Sequence, residues 1–260
     1  MYKRIRTPPD PSDTQTDHAL IFEGYSQFHK IIYIRETLVG EGCIPSGCTV
    51  ADVETLLSMS IEAESGNNGG NISARMAKKC QNFRDAVEFV FPSWFDSGFP
   101  NPADFTPDFL LTVHRYIGSN RLITDAGSYR TKWLAPAKED FVYLDPVRVP
   151  IELPRLCFDV QIALRNDSCL LNRVRLAAAF ATNFLYIHPF SNGNGRVARL
   201  AVSWLLKGHT VVPVPLYGDR EVYLDCLRDS RVQPFIPQAL ARFVLDSVER
   251  VHQDVLNCLF

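Results

Sequence analysis

The sequence predicts a mainly helical protein carrying one small β-hairpin. Three observations predict it. Apolar residues recur at three- and four-residue spacing through most of the long segments. Glycine, proline and asparagine cluster between those segments. Only residues 127–134 alternate as a strand or hairpin arm does, at Tyr129, Thr131 and Trp133.

With 260 residues, 46% hydrophobic and 22% charged, the chain can bury one sizeable core, and one domain with appendages is the natural count. A formal charge of −2 leaves no electrostatic footprint for nucleic acid. Seven cysteines, odd in number and without a second pair at zinc spacing, point to reduced thiols in a reducing compartment. No apolar run reaches membrane-spanning length, and MYKRIRTPPDP lacks a signal-peptide core. A cytoplasmic protein with no nucleic-acid or membrane partner is expected; an effector exported by another route would look the same.

Taken in order, residues 1–17 are polar and proline-bearing and read as a disordered tail. Ile21, Tyr25, Phe28 and Ile32 mark a helix over 18–39, and the glycines between 40 and 47 break it. Thr49 and Asp52 form a capping-box start, followed by the stripe Val53, Leu56, Leu57, Ile61 of a helix over 49–64. Residues 74–91 form another helix, and the proline-bearing run 92–107 connects it to a short helix over 108–116. His114 on that helix reads as a packed or capping residue, since no second ligand lies at metal spacing. After the hairpin, three prolines at 146, 150 and 154 lead back to helix at 156–164.

Residues 175–206 are the centre. Val174, Ala177, Ala178, Ala181 and Leu185 form one stripe, which should stop where Pro189 disfavours helical backbone at His188. Ser191-Asn-Gly-Asn-Gly195 suits tight backbone, and Val197, Leu200, Ala201, Trp204 and Leu205 form the second stripe. A helix starting near Asn194 or Gly195 aims free N–H groups into the loop, which favours an anion. Arg196 and Arg199 add charged donors, and His188 at the other rim is suited to move a proton. Helices over 220–227 and 237–259 complete the chain.

The run HPFSNGNGRVAR resembles the signature of the Fic-domain family, H-x-F-x-[D/E]-G-N-G-R-x-x-R. His188, Phe190, Gly193, Asn194, Gly195, Arg196 and Arg199 match, whereas Asn192 stands where an acidic residue normally holds the metal. The resemblance implies a Fic-type helical domain with a small β-hairpin flap. It implies transfer of AMP from ATP, with Mg2+, to a hydroxyl of a target protein. His188 would then be the base, Gly193 to Arg196 with Arg199 the phosphate holders, Phe190 the loop's anchor and Tyr223 a contact to the base ring. The flap residues Tyr129, Thr131 and Trp133 would bind the target's extended backbone.

Residues 58–63, SMSIEA, resemble the family's inhibitory motif [S/T]-x-x-x-E-[G/N], with Ser58 and Glu62 matching and Ala63 departing; a second frame starts at Ser60. The resemblance sets Glu62 against Arg199, where it would block a nucleotide's terminal phosphate. The expected organisation is a tail (1–17), an N-terminal helix and connector (18–48), an inhibitory helix (49–64), a Fic-like core (72–232) and a C-terminal helix (233–260). Three alternatives stay open: removal of AMP from a modified protein, transfer from another phosphate-containing donor, and a nucleotide-binding module that has lost catalysis with its acidic metal ligand.

Overall fold

The computed structural model describes residues 11–60, 72–94, 98–136, 141–166, 169–232 and 237–259. Among them are nine α-helices and no β-strand. In chain order they are α1 (Pro11–Gly40), α2 (Val50–Ser58), α3 (Ile72–Val90), α4 (Pro107–Gly118) and α5 (Val149–Asn166). Then come α6 (Leu170–Ile187), α7 (Asn194–Leu206), α8 (Arg220–Val232) and α9 (Gln238–Leu259).

The core is built on α6 against α7. Ala177, Ala178 and Ala181 give α6 a face small enough for close approach, and α7 meets it with Val197, Ala198, Leu200 and Ala201. α7 is apolar or paired almost all round, as a central helix must be. α4, α3 and α1 also pack on α7, while α5 and α9 flank α6. All seven cysteines are free.

Four expectations change. α1 begins at Pro11, inside the stretch read as a disordered tail. α2 starts on the capping box foreseen, with Thr49 N donating to Asp52 Oδ2 at 2.8 Å and Asp52 N to Thr49 Oγ1 at 3.1 Å. It ends at Ser58 rather than near 64, because Gln81 Nε2 of α3 reaches the carbonyls of Leu56, Leu57 and Met59 at 3.2, 3.3 and 2.6 Å. These bonds satisfy the last-turn acceptors and stop the helix. α5 begins at Val149 and takes Pro154 within it.

The fourth change is the flap. Its arms, 129–136 and 141–145, share a backbone bond from Tyr143 N to Leu134 O at 3.2 Å but are not strands. The reason lies in where the other backbone groups go. Arg130 N donates to Pro189 O at 2.8 Å and Leu144 N to Tyr186 O at 3.2 Å, so the arms bond the end of α6 more than each other.

Candidate active site

The loop joining α6 to α7 is clamped from below. Phe190 is fully buried, as the anchoring role requires. His114 stacks on it at 3.8 Å between ring centroids, and donates from Nε2 to Asn192 O at 2.9 Å. Its Nδ1 accepts from Gly127 N at 2.9 Å, which fixes the neutral tautomer. Burial pushes this imidazole down to about 4, so His114 is a structural strut, as the sequence predicted. Asn194 departs from its expected role. Its amide donates to Phe190 O at 2.8 Å and its Oδ1 accepts from Phe190 N at 3.0 Å, leaving its side chain a loop clasp. Its backbone N–H, like those of Gly195 and Arg196, stands in the first turn of α7 without an intrahelical acceptor.

His188 closes α6 with φ 48° and ψ 61°, a left-handed conformation that few side chains adopt. The following proline excludes the helical alternative. The twist turns the ring into a cleft of about 680 Å³, beside Tyr143, whose ring stacks on it at 3.7 Å. Nδ1 faces Leu185 O at 3.2 Å. A carbonyl only accepts, so Nδ1 carries the hydrogen and Nε2 keeps its lone pair. Burial pushes the imidazole from an ordinary 6.5 down to about 4; Arg130 and Arg231 act in the same direction, and the bond to Leu185 opposes them. A helix C-terminus favours protonated histidine, and these effects override it. His188 is therefore a neutral acceptor at physiological pH.

At the far end of the same cleft lies α7's first turn, and a carboxylate already occupies it. Glu41, just past α1, sets Oε2 1.8 Å from where a Cβ on Gly195 would stand. Its Oε1 accepts from Arg199 Nε at 2.8 Å. Arg199 is 2% exposed; its Nη1 donates to Leu216 O at 3.2 Å and its guanidinium lies 4.3 Å over the Tyr223 ring. Tyr223 lines the cleft, yet is 3% exposed, so it serves first as the arginine's platform. Gly40 completes the cage, since a Cβ there would lie 2.8 Å from Arg199 Nη2.

Glu62, expected on Arg199, lies outside the described residues. Ser58 is exposed and donates to its own helix, at Thr55 O, 2.8 Å. The carboxylate seen on Arg199 is one that the sequence reading passed over. The signal was present: Thr37-Leu-Val-Gly-Glu41-Gly42 fits [S/T]-x-x-x-E-[G/N] without a mismatch, whereas Ser58 to Ala63 has one. The glycines at 40, 42 and 47 read as a break and hid it.

Asn192 does not offer a magnesium site. Its Oδ1 accepts from Gly193 N at 2.6 Å and from Arg196 Nη2 at 3.2 Å, so a cation already stands beside it. Magnesium asks for hard, preferably anionic oxygens, and a neutral amide oxygen that already accepts two hydrogen bonds does not supply one. The residues present do not fit the ion. On the flap, Thr131 and Trp133 are exposed, Trp133 by 61%, and Tyr129 packs partly on the core.

Residues 104–206 match the Fic/DOC family. A protein adenylyltransferase Fic from Nematostella vectensis is 29% identical over 149 residues, covering 56% of this chain and 33% of that protein. A uridine 5'-monophosphate transferase from Xanthomonas campestris pv. campestris is 39% identical over 49 residues, 19% of this chain and 9% of that protein. The chain thus spans at most a third of the length of these curated relatives. A solved Fic domain containing signaling protein from Bacteroides thetaiotaomicron superposes with a TM-score of 0.65 over 93% of this chain and 88% of that one. At 20% identity, this likeness speaks for the fold.

Proposed function

We propose that this chain, whose residues 104–206 match the Fic/DOC family, transfers AMP from ATP to a hydroxyl side chain of a target protein. The observation that carries the reading is the placement of one carboxylate: Glu41 lies in the α7 cradle, held by Arg199, in the cleft that His188 also lines. An anion site with a neutral imidazole in the same cleft suits attack on a phosphate.

In the proposed reaction the target hydroxyl attacks the α-phosphorus and passes its proton to His188 Nε2. The bond to pyrophosphate breaks, and pyrophosphate leaves with the electron pair. The first N–H groups of α7 hold the attacked phosphate, and Arg196 and Arg199 neutralise the phosphates beyond it. Most of the acceleration is positioning and charge stabilisation. No step runs through a metal ion, since Asn192 is turned into its own loop.

Glu41 makes the resting site self-blocked. Its carboxylate takes the guanidinium and the space over Gly195 that donor phosphates need, so we assign the inhibitory role to Glu41 in place of Glu62. Target docking runs through the flap, where Thr131 and Trp133 face outward. The test is incubation of parent and Glu41→Gly chains with ATP labelled at the α-phosphate; covalent label on protein from Glu41→Gly supports transfer, and none from either chain refutes it.

A second reading has one observation in its favour, the hydrogen-bonded and metal-averse Asn192. It is a nucleotide-binding module without catalysis. Saturable ATP binding to Glu41→Gly without covalent label would select it.

A further inference from the structure

Arg130 is a buried cation held by carbonyls. It is 3% exposed, and the carboxylate that acts on it, Asp145, does so through space. Its donors go to carbonyls instead: Nε to His188 O at 2.6 Å, Nη1 to Lys132 O at 2.7 Å, and Nη2 to Leu144 O and to Ile187 O, the latter at 3.2 Å. Its backbone N–H adds Pro189 O at 2.8 Å. Three consecutive carbonyls at the end of α6 and one from each arm of the flap thus converge on a single residue.

Such burial is costly unless the charge meets concentrated negative potential. The C-terminal end of a helix supplies it, and is ordinarily the place that stabilises a protonated histidine. Here the arginine takes that role from the histidine. Ile187 O and His188 O already face a permanent cation, so a proton added to the His188 ring would meet positive charge instead of free carbonyls. The same bonds hold the peptide of His188, whose left-handed backbone aims the ring at the cleft. They also fix the segment bearing Tyr143 against the ring's face.

We propose that Arg130 is the positioning residue of the base: it locks both flap arms onto the carbonyl end of α6, sets the orientation of His188 and opposes its protonation. The inference rests on His188 being the proton acceptor of the transfer reaction. The other titratable and charged groups around the ring are Tyr143 stacked on it and Arg231 from α8; Tyr186, Arg220, Tyr223 and Glu41 line the same cleft. Arg130 bonds the backbone of His188 itself.

The experiment uses the full chain with labelled histidine and follows the His188 ring by NMR against pH, its signal assigned by loss in His188→Gln. Arg130→Met removes the charge and the bonds; Arg130→Lys keeps the charge and loses the fork that reaches four carbonyls. The His188 midpoint is expected to rise by about one pH unit or more in Arg130→Met, the size an adjoining charge produces. It should stay near the parent's in Arg130→Lys, while transfer by Arg130→Lys in the Glu41→Gly background falls at least about tenfold at every pH, as misplacement predicts. A folded Arg130→Met whose His188 titrates with the parent overturns the proposal. If Arg130→Met does not fold, Arg130→Lys decides, and transfer at the rate of its Glu41→Gly background overturns it. Absence of all transfer from Glu41→Gly counts against the transferase reading instead, and leaves the titration to judge Arg130.

Discussion

The carboxylate of Glu41 stands where no side chain on Gly195 could coexist with it, Oε2 lying 1.8 Å from the site of an added Cβ. The first turn of α7 is therefore an anion site fitted with its own plug. Arg199 anchors the plug at 2.8 Å from a position 2% exposed, which makes the arginine the element shared by the blocked and the working site.

That sharing gives the first expectation. Glu41→Gly should raise transfer by about tenfold or more, the equivalent of about 1.4 kcal/mol in the barrier. Adding Arg199→Ala should abolish the gain, a non-additivity read from a double-mutant cycle. Gly195→Ala should also displace Glu41, yet give no activation, because the methyl fills the cradle itself. Equal activation by Glu62→Gly in the parent chain would return the inhibitory role to Glu62.

His188→Ala in the Glu41→Gly background should cost about 10²–10⁴ in transfer rate, the range for loss of a general base. Nucleotide affinity should stay within about twofold, since the ring's hydrogen bond goes to Leu185 and not into the anion cradle. Isothermal titration with ATP alongside the transfer assay separates the two. A large loss of affinity would make His188 a binding residue.

Asn192→Asp tests the departure from the family signature. The carboxylate would retain a bond to Arg196 and add the anionic oxygen that magnesium prefers. In the Glu41→Gly background it should introduce a magnesium stimulation of transfer that the Asn192 chain lacks. A variant whose rate stays at its background's with and without magnesium would confine residue 192 to shaping the turn.

Stability should fall in acid. Burial pushes His29, His114 and His188 each down to about 4 from an ordinary 6.5. Between those values the unfolded chain binds protons that the folded chain refuses, so stability rises with pH across the window and is lost as pH falls through it. Among the described residues neither ring nitrogen of His29 has a hydrogen-bond partner, and the ring sits among Tyr25 and Trp94. His29→Phe should therefore flatten the slope of denaturation midpoint against pH from 6.5 down to 4. A slope unchanged by that substitution would locate the acid sensitivity elsewhere.

The helices were legible because their apolar spacing and breakers are local. The α6–loop–α7 centre was legible for the same reason, whereas Phe190 as an anchor came with the loop's resemblance and His114 as a strut from the lack of a second ligand at metal spacing. What escaped depended on contacts between distant segments. The end of α2 is set by Gln81 from the next helix, and the flap is tied by Arg130 to carbonyls from 132, 144, 187 and 188. Asn194 looked like a phosphate ligand until its amide was found closing on Phe190. Glu41 was overlooked for a different reason. Its glycine neighbours suggest a broken helix, yet Gly40 is what lets Arg199 approach so closely.

The most direct measurement is mass spectrometry of protein after incubation with ATP, comparing the Glu41→Gly chain with Glu41→Gly carrying His188→Ala. The account predicts an AMP adduct on a hydroxyl residue in the first and a loss of about 10²-fold or more in the second. No adduct on the Glu41→Gly chain, or equal adduct on both, would contradict it.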